Sequence, residues 1–229
     1  MSIIIQTPKG ERSIGSGESC FVVAEMSANH NQNYDKAEEI IRTAAKAGAD
    51  AIKLQTYTPD TITIDCDKEW FLVGGEENPE QWRKQTLYEL YQTAYTPWEW
   101  HKPLQKLASE LGLVFFSAPF DLTSVDFLEE LSMPCYKITS YECTDFTILR
   151  KVAQTGKPVI MSTGFATLEE IEFAVSTLKK YGTKDIVLLH CVTAYSGDPK
   201  LQETNMRTML DMKERFAVEV GFSDNNAGI

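Results

Sequence analysis

The sequence has no long apolar run. The first apolar segment, Ile3–Ile5, is too short for the core of a signal peptide, and no other run of apolar residues approaches the length of a membrane span. A membrane partner is therefore not expected, and the chain is predicted to be cytoplasmic.

Clusters of basic residues and paired cysteines are also missing. The formal net charge is -11, and the lysines and arginines do not gather into the basic stripe that binds a phosphate backbone, which argues against nucleic acid as a partner. An anionic small molecule could still bind through individually placed lysines. The five cysteines include no CxxC pair, so neither a zinc site nor a disulfide framework is indicated. They are interpreted as small buried residues in a reducing compartment.

An alternation of apolar strands and amphipathic helices is present instead. Between Cys20 and Thr56, two apolar runs flank a segment with alanine and isoleucine at helical spacing. A crossover of this length joins parallel strands, so the C-terminal ends of both strands share one rim. Glu25 ends the first run, and Lys53 and Gln55 end the second. These three side chains are therefore expected at the rim where α/β proteins bind ligands.

The same alternation continues to the end of the sequence. It predicts about seven strands, with Thr96 as the N-cap of one helix and a capping box of Thr167 and Glu170 opening another. The predicted fold class is α/β, a (β/α)8 TIM-type barrel over residues 20–229 that is incomplete at the C-terminus. A doubly wound open sheet is the alternative. Residues 1–19 are predicted to form a hairpin or flap. Because an unclosed barrel exposes two strand edges, the last strand is expected outside this chain.

Polar residues end every predicted strand. Lys53 and Lys137 offer positive charge, and nearby hydroxyl groups offer directed hydrogen bonds, a combination that suits a phosphate and a carboxylate. The polar strand ends are Glu25, Lys53, Gln55, Ser117, Lys137, Ser140, Glu142, Ser162, Thr163, His190, Thr193, Tyr195, Ser223 and Asp224. Structural alternatives stay open, since a lysine can pair with a carboxylate, a serine can cap a helix and His190 can be a core residue. His30 and His101 show no partner in the sequence.

Segments that contain these strand ends resemble the sialic acid synthase family. In family order along the whole chain, they are Glu25–His30, Gly48–Pro59, Tyr136–Glu142, Ser162–Gly164 and Gly221–Asp224. Further segments look more like pseudaminic acid synthases than N-acetylneuraminate synthases, and these are Gln55–Thr63, Lys84–Tyr91 and Tyr95–His101.

The resemblance implies an enzyme that condenses phosphoenolpyruvate with an N-acetylated amino-sugar aldehyde, giving a nine-carbon nonulosonic acid and phosphate. It also implies which residues hold phosphoenolpyruvate, namely Lys53, Lys137, Ser117, Ser140, Ser162 and Ser223. The residues expected to face the sugar are Glu25, Gln55, Glu142 and Tyr195, and Thr193 completes the substrate-binding set. Glu25 and Glu142 are the candidate catalytic residues, because either could orient or deprotonate the water that adds to C2.

A divalent metal, Mn or Mg, and a homodimer are further implications of the resemblance. Asn225 occupies the position of a metal-binding histidine of the family, and an asparagine oxygen replaces an imidazole poorly, so no certain metal ligand is predicted. The family's second metal histidine and its C-terminal antifreeze-like domain are expected beyond Ile229. Two alternatives remain open. One is a Schiff-base aldolase acting through Lys53 or Lys137, and the other is a phosphoenolpyruvate-binding remnant.

Overall fold

Strands and helices alternate through the parts of the chain that the computed structural model describes, residues 2–74, 82–193 and 204–225. The strands are β1 (Ser2–Thr7), β2 (Gly10–Gly15), β3 (Val23–Glu25), β4 (Ala51–Thr56), β5 (Val114–Pro119), β6 (Tyr136–Ile138), β7 (Val159–Ser162), β8 (Ile186–Cys191) and β9 (Glu219–Ser223). The helices are α1 (Tyr34–Lys46), α2 (Pro59–Ile62), α3 (Leu87–Ala94), α4 (Trp98–Glu110), α5 (Leu122–Glu130), α6 (Phe146–Ala153), α7 (Leu168–Tyr181) and α8 (Thr208–Phe216). No helix within these ranges is both long and apolar enough to cross a membrane.

One parallel sheet contains the seven strands from β3 to β9, in the order of the sequence. A doubly wound sheet would reverse its strand order at a switch point, so the sequential order favours the barrel over that alternative. The curled sheet with its helices confirms the predicted TIM-type α/β fold. In the ranges that the structure describes, β3 and β9 are the two edges of the sheet.

Burial on both faces explains why the central strands are so apolar. Every residue of β5 is buried, as expected for a parallel strand with helices on one face and the barrel interior on the other. Helix α1 packs against the sheet through Ala37, Ile41 and Ala44, which recur at helical spacing. The apolar periodicity therefore determines which side of each helix joins the core.

The first two strands form an antiparallel hairpin at the N-terminal end of the sheet. The side chains of Ile3 and Ile5, both in β1, are buried. The guanidinium of Arg12 donates to Ser19 Oγ at 2.8 Å and lies 3.9 Å from a carboxylate oxygen of Asp50, which directly precedes β4. The hairpin therefore lies at the opposite end of the sheet from the rim that carries the polar strand ends.

The two predicted helix starts have different outcomes. The capping box of α7 is confirmed, because the Thr167 side chain accepts from the backbone N–H of Glu170 and the Glu170 carboxylate accepts from that of Thr167. The prediction for Thr96 is wrong, since the N-cap of α4 is Pro97. Thr96 is buried, and its hydroxyl lies 3.1 Å from His30 Nε2. Its side chain turns into the core to reach a partner distant in sequence.

Candidate functional site at the C-terminal rim

The register of the strands brings the two lysines to one face of the sheet. Lys53 lies beside Phe116 on β5, and Ser117 lies beside Tyr136 on β6. Residues in register point to the same side and successive residues to opposite sides, so Phe116 and Lys137 share the face of Lys53. We call this side of the sheet the inner face.

Hydroxyl and thiol groups of later strands join the inner face at the same end. The Lys137 ammonium donates to Ser162 Oγ at 2.7 Å and to the carbonyl oxygen of Ile138 at 2.8 Å. Cys191 lies in register with Ser223, the last residue of β9. The inner face thus presents a buried cation and a buried hydroxyl in direct contact, which is an arrangement suited to an anionic ligand.

Lys53 differs from Lys137 in its partner. Its ammonium forms an ion pair with Glu25, whose other carboxylate oxygen accepts from the backbone N–H of Ser27 at 2.9 Å. The carboxylate partner suggested for Lys53 is therefore present. Within the described ranges, no carboxylate lies in ion-pair contact with Lys137, and its ammonium donates to the Ser162 hydroxyl and the Ile138 carbonyl oxygen instead.

The buried position of Lys137 lowers the pKa of its ammonium to about 7. Removal from water is the main cause, the neighbouring charge of Lys53 adds to it, and Glu25 opposes it. An anion bound beside Lys137 would supply the compensating charge and favour the protonated form.

We expect the unliganded protein to become more stable between pH 7 and about 8.5, by about 1.5 kcal/mol. Below pH 7, Lys137 is charged in both the folded and the unfolded state. Above pH 7 the folded state releases this proton, whereas the unfolded lysine keeps it until about pH 10.5. The unfolded state then binds more protons, so the free energy of unfolding rises with pH. Urea denaturation at several pH values measures this rise in the free energy of unfolding.

The variant Lys137→Met is the control for this pH dependence, because it removes the titrating group. Its free energy of unfolding should be nearly constant over the same interval, and an equal rise in the variant would contradict the assignment to Lys137. The comparison is limited to pH values below about 8.5. At higher pH, Cys135 and Tyr136 lose their protons in the unfolded state first, because burial raises their pKa in the folded state, and this lowers the free energy of unfolding as the pH rises.

The loops after β6 and β7 meet above the lysines. Ser140 is buried against Gly164, where a Cβ atom would lie 2.4 Å from Ser140 Oγ and 3.0 Å from Thr193 Cγ2. Gly164 also has a positive φ of 37°, so both space and backbone conformation favour glycine. Burial raises the pKa of Glu142, which accepts a hydrogen bond from the Thr139 hydroxyl that partly opposes the rise. The structure therefore brings Ser140, Glu142 and Thr193 to the rim.

Ser117 lies on the other face of the sheet, so the structure does not bring it to the lysines. It shares the face of Leu54 and Thr56, and its hydroxyl lies 2.6 Å from Thr56 Oγ1. Thr56 Oγ1 is in turn 2.8 Å from Nε2 of His101 in α4. The expectation that Ser117 holds the same ligand as Lys53 needs correction here, since one residue along a strand reverses the direction of a side chain.

Asn225 contacts the end of β8 rather than a group of metal ligands. Its amide nitrogen donates to the carbonyl oxygen of Val192 at 3.0 Å and lies 3.3 Å from Cys191 Sγ. Within residues 2–74, 82–193 and 204–225, no three His, Cys, Asp or Glu side chains are grouped to hold a metal ion. The predicted Mn or Mg therefore stays a prediction.

Three predicted positions complete the account of the strand ends. Gln55 is half-buried two residues beyond Lys53 and therefore points to the inner face. His190 Nε2 lies 2.6 Å from the carbonyl oxygen of Thr204, which agrees with a structural role. Tyr195 lies outside the described residues.

Two rim residues escaped the sequence reasoning. Tyr141 and Phe165 are large exposed aromatic residues, and each directly follows a residue singled out from the sequence, Ser140 and Gly164 respectively. That adjacency is the signal that could have found them.

The chain has the fold of the TIM-type α/β barrels, a class in which ligand sites lie at the C-terminal ends of the strands. The NeuB family model matches residues 40–229, and the chain belongs to the NeuB family. The resemblance stated from the sequence is thereby confirmed.

Relatives of known name span the chain almost completely. Pseudaminic acid synthase of Helicobacter pylori is 42% identical over 207 residues, covering 90% of this chain and 59% of that protein. N,N'-diacetyllegionaminic acid synthase of Legionella pneumophila is 35% identical over 219 residues, covering 94% of this chain and 60% of that protein. The chain thus spans about three fifths of the length of these relatives.

A solved structure agrees with the same assignment. The N-acetylneuraminic acid synthetase of Leptospira borgpetersenii, crystallised in complex with citrate, superposes with a TM-score of 0.80 at 29% identity. The superposition covers 100% of this chain and 72% of that one.

Proposed function

We propose that this chain binds phosphoenolpyruvate and condenses it with an N-acetylated amino-sugar aldehyde of the pseudaminic type, giving a nonulosonic acid and phosphate. The carrying observation is the pair of lysines on the inner face, one of them buried against Ser162 without a carboxylate partner among the described residues. The 42% identity to a pseudaminic acid synthase supports the choice of sugar class.

Charge complementarity explains how the inner face would hold phosphoenolpyruvate. One anionic group of the ligand would accept from the Lys137 ammonium and the Ser162 hydroxyl, and Lys53 would contribute a second charge. Water is largely excluded there, because Lys137 and Ser162 are buried, so each charged hydrogen bond is stronger than at the surface.

The chemistry forms one carbon–carbon bond and one carbon–oxygen bond from water, and it breaks the carbon–oxygen bond to phosphate. C3 of phosphoenolpyruvate attacks the aldehyde carbon, and the aldehyde oxygen gains a proton to become a hydroxyl. The oxygen of a water adds to the cationic C2; the bond from C2 to the phosphate oxygen then breaks to release phosphate, and the new C2 hydroxyl loses its proton to become the ketone oxygen. We assign Glu142 to accept the proton of that water, because a buried carboxylate of raised pKa is a better base than one held in an ion pair.

The divalent metal remains a prediction. Asn225 offers one amide oxygen, and such an oxygen can bind Mg or Mn. Because the described residues do not form a metal site, no step above is assigned to a metal.

The direct test is phosphate release from phosphoenolpyruvate by this chain. We expect release with the trideoxy diacetamido altrose, and slower release with N-acetylmannosamine, in parallel reactions with Mn, with Mg and with a chelator. Calorimetry with phosphoenolpyruvate alone accompanies the assay. Binding of phosphoenolpyruvate without release of phosphate in the presence of either sugar would instead identify a phosphoenolpyruvate-binding remnant.

A Schiff-base aldolase is the second candidate, and the pKa of about 7 for Lys137 favours it. A lysine that is partly neutral at pH 7 can attack a carbonyl group. Borohydride reduction in the presence of the sugar and pyruvate separates the two functions. A covalent adduct found on Lys137 by mass spectrometry supports the aldolase, and its absence together with phosphate release supports the synthase.

A further inference from the structure

Tyr141 and Phe165 form an aromatic pair at the rim that is largely open to solvent. Their exposed fractions are 72% and 56%, and their ring centroids lie 4.9 Å apart with the rings inclined at 65°. Exposed aromatic surface beside a ligand site is a candidate binding surface. Both side chains present broad aromatic surface to solvent, so a binding role is the one to consider.

The backbone connects this pair directly to the inner face. Tyr141 stands between Ser140 and Glu142, and Phe165 follows Gly164. Gly164 packs so closely on Ser140 that a Cβ atom there would meet the serine side chain. The aromatic rings are therefore held by the two loops that continue from the strands of Lys137 and Ser162.

We propose that the Tyr141–Phe165 pair is the part of the acceptor subsite that contacts the apolar groups of the amino sugar. The inference rests on the proposed function and adds the surface that distinguishes one amino sugar from another. A trideoxy diacetamido sugar carries a methyl group on each acetamido group and another in place of the terminal hydroxymethyl. N-acetylmannosamine offers fewer methyl groups and more hydroxyls. Aromatic rings bury methyl and C–H surface, so they should bind the trideoxy sugar more tightly than N-acetylmannosamine.

Alanine substitutions test this subsite. For Tyr141→Ala and Phe165→Ala, we expect KM for the trideoxy sugar to rise on the order of tenfold, while KM for phosphoenolpyruvate stays within twofold. Phe173→Ala is the matched control, because Phe173 is 44% exposed on α7 and its ring neighbour is Phe146. Tyr141→Phe should retain the wild-type KM, since the ring makes the contact. Unchanged KM for the sugar in both alanine variants would overturn the proposal and leave the proposed function standing.

Saturation-transfer NMR with the free sugar provides a readout that does not need turnover. We expect the methyl protons of the trideoxy sugar to receive the strongest saturation in the wild-type chain and in Phe173→Ala, and to lose most of it in Tyr141→Ala and Phe165→Ala. Equal saturation in all four proteins, or none in the wild type, would contradict the subsite. Sedimentation of the same variants identifies the competing case, in which the pair is a contact between protein copies. A change of oligomeric state with unchanged sugar saturation would overturn the proposal.

Discussion

Replacing Lys137 by methionine is expected to weaken phosphoenolpyruvate binding at least a hundredfold and to stop phosphate release. The Lys137 ammonium is buried, it already donates to Ser162 Oγ, and no carboxylate within the described ranges neutralises it. A bound anion would therefore meet this charge in a medium of low polarity. Removing one partner of a buried charged hydrogen bond costs about 3 kcal/mol, which corresponds to this loss of affinity. Titration calorimetry with phosphoenolpyruvate measures it.

The same substitution should stabilise the unliganded protein, which shows that any loss of binding is not a loss of folding. Burial of the lysine cation costs free energy that methionine does not cost, and the two side chains are of similar length. Lys151→Met is the matched control, because the Lys151 ammonium lies 2.6 Å from Asp126 on the outer helices. The control should bind phosphoenolpyruvate normally. Affinity within threefold of wild type in Lys137→Met would place the anion elsewhere.

The strand-end rule explains why much of this site could be predicted from the sequence. Glu25, Lys53, Lys137 and Ser162 all follow apolar runs, and parallel strands bring such residues to one rim whatever the details of packing. Register then places them on one face. The rule predicts the end of the strand at which a residue lies but not the face of the sheet to which its side chain points. It therefore grouped Ser117 with the residues of the inner face. Strand β5 is buried on both sides, so its apolar neighbours gave no alternation from which to assign a face.

Contacts distant in sequence account for what could not be predicted. His101 meets Thr56 across 45 residues, and His30 meets Thr96 across 66. Burial lowers the pKa of both histidines, so each is neutral at pH 7 and serves as a hydrogen-bonding group of the core. Nothing local in the sequence marks these pairs. Local rules predicted a capping role for Thr96, but its hydroxyl instead forms a tertiary hydrogen bond with His30.

The two candidate catalytic carboxylates should respond differently to amide substitution. Glu142→Gln is expected to lower the rate of phosphate release at least a hundredfold, the usual range for loss of a general base, while leaving the affinity for phosphoenolpyruvate within threefold. Glu25→Gln should act through its ion-pair partner, because it frees the Lys53 ammonium. We therefore expect tighter binding of phosphoenolpyruvate in Glu25→Gln, with a smaller loss of rate than in Glu142→Gln.

The pH dependence separates a base at Glu142 from a merely structural effect. Burial raises the pKa of Glu142, so the rate of the wild-type chain should fall as the pH is lowered, and it should do so at a higher pH than for an exposed glutamate. This acidic limb should be absent from Glu142→Gln, since its amide does not titrate. Glu130→Gln, on the exposed end of α5, should keep both the rate and the limb. An acidic limb that persists in Glu142→Gln and disappears in Glu25→Gln would reverse the assignment and make Glu25 the base.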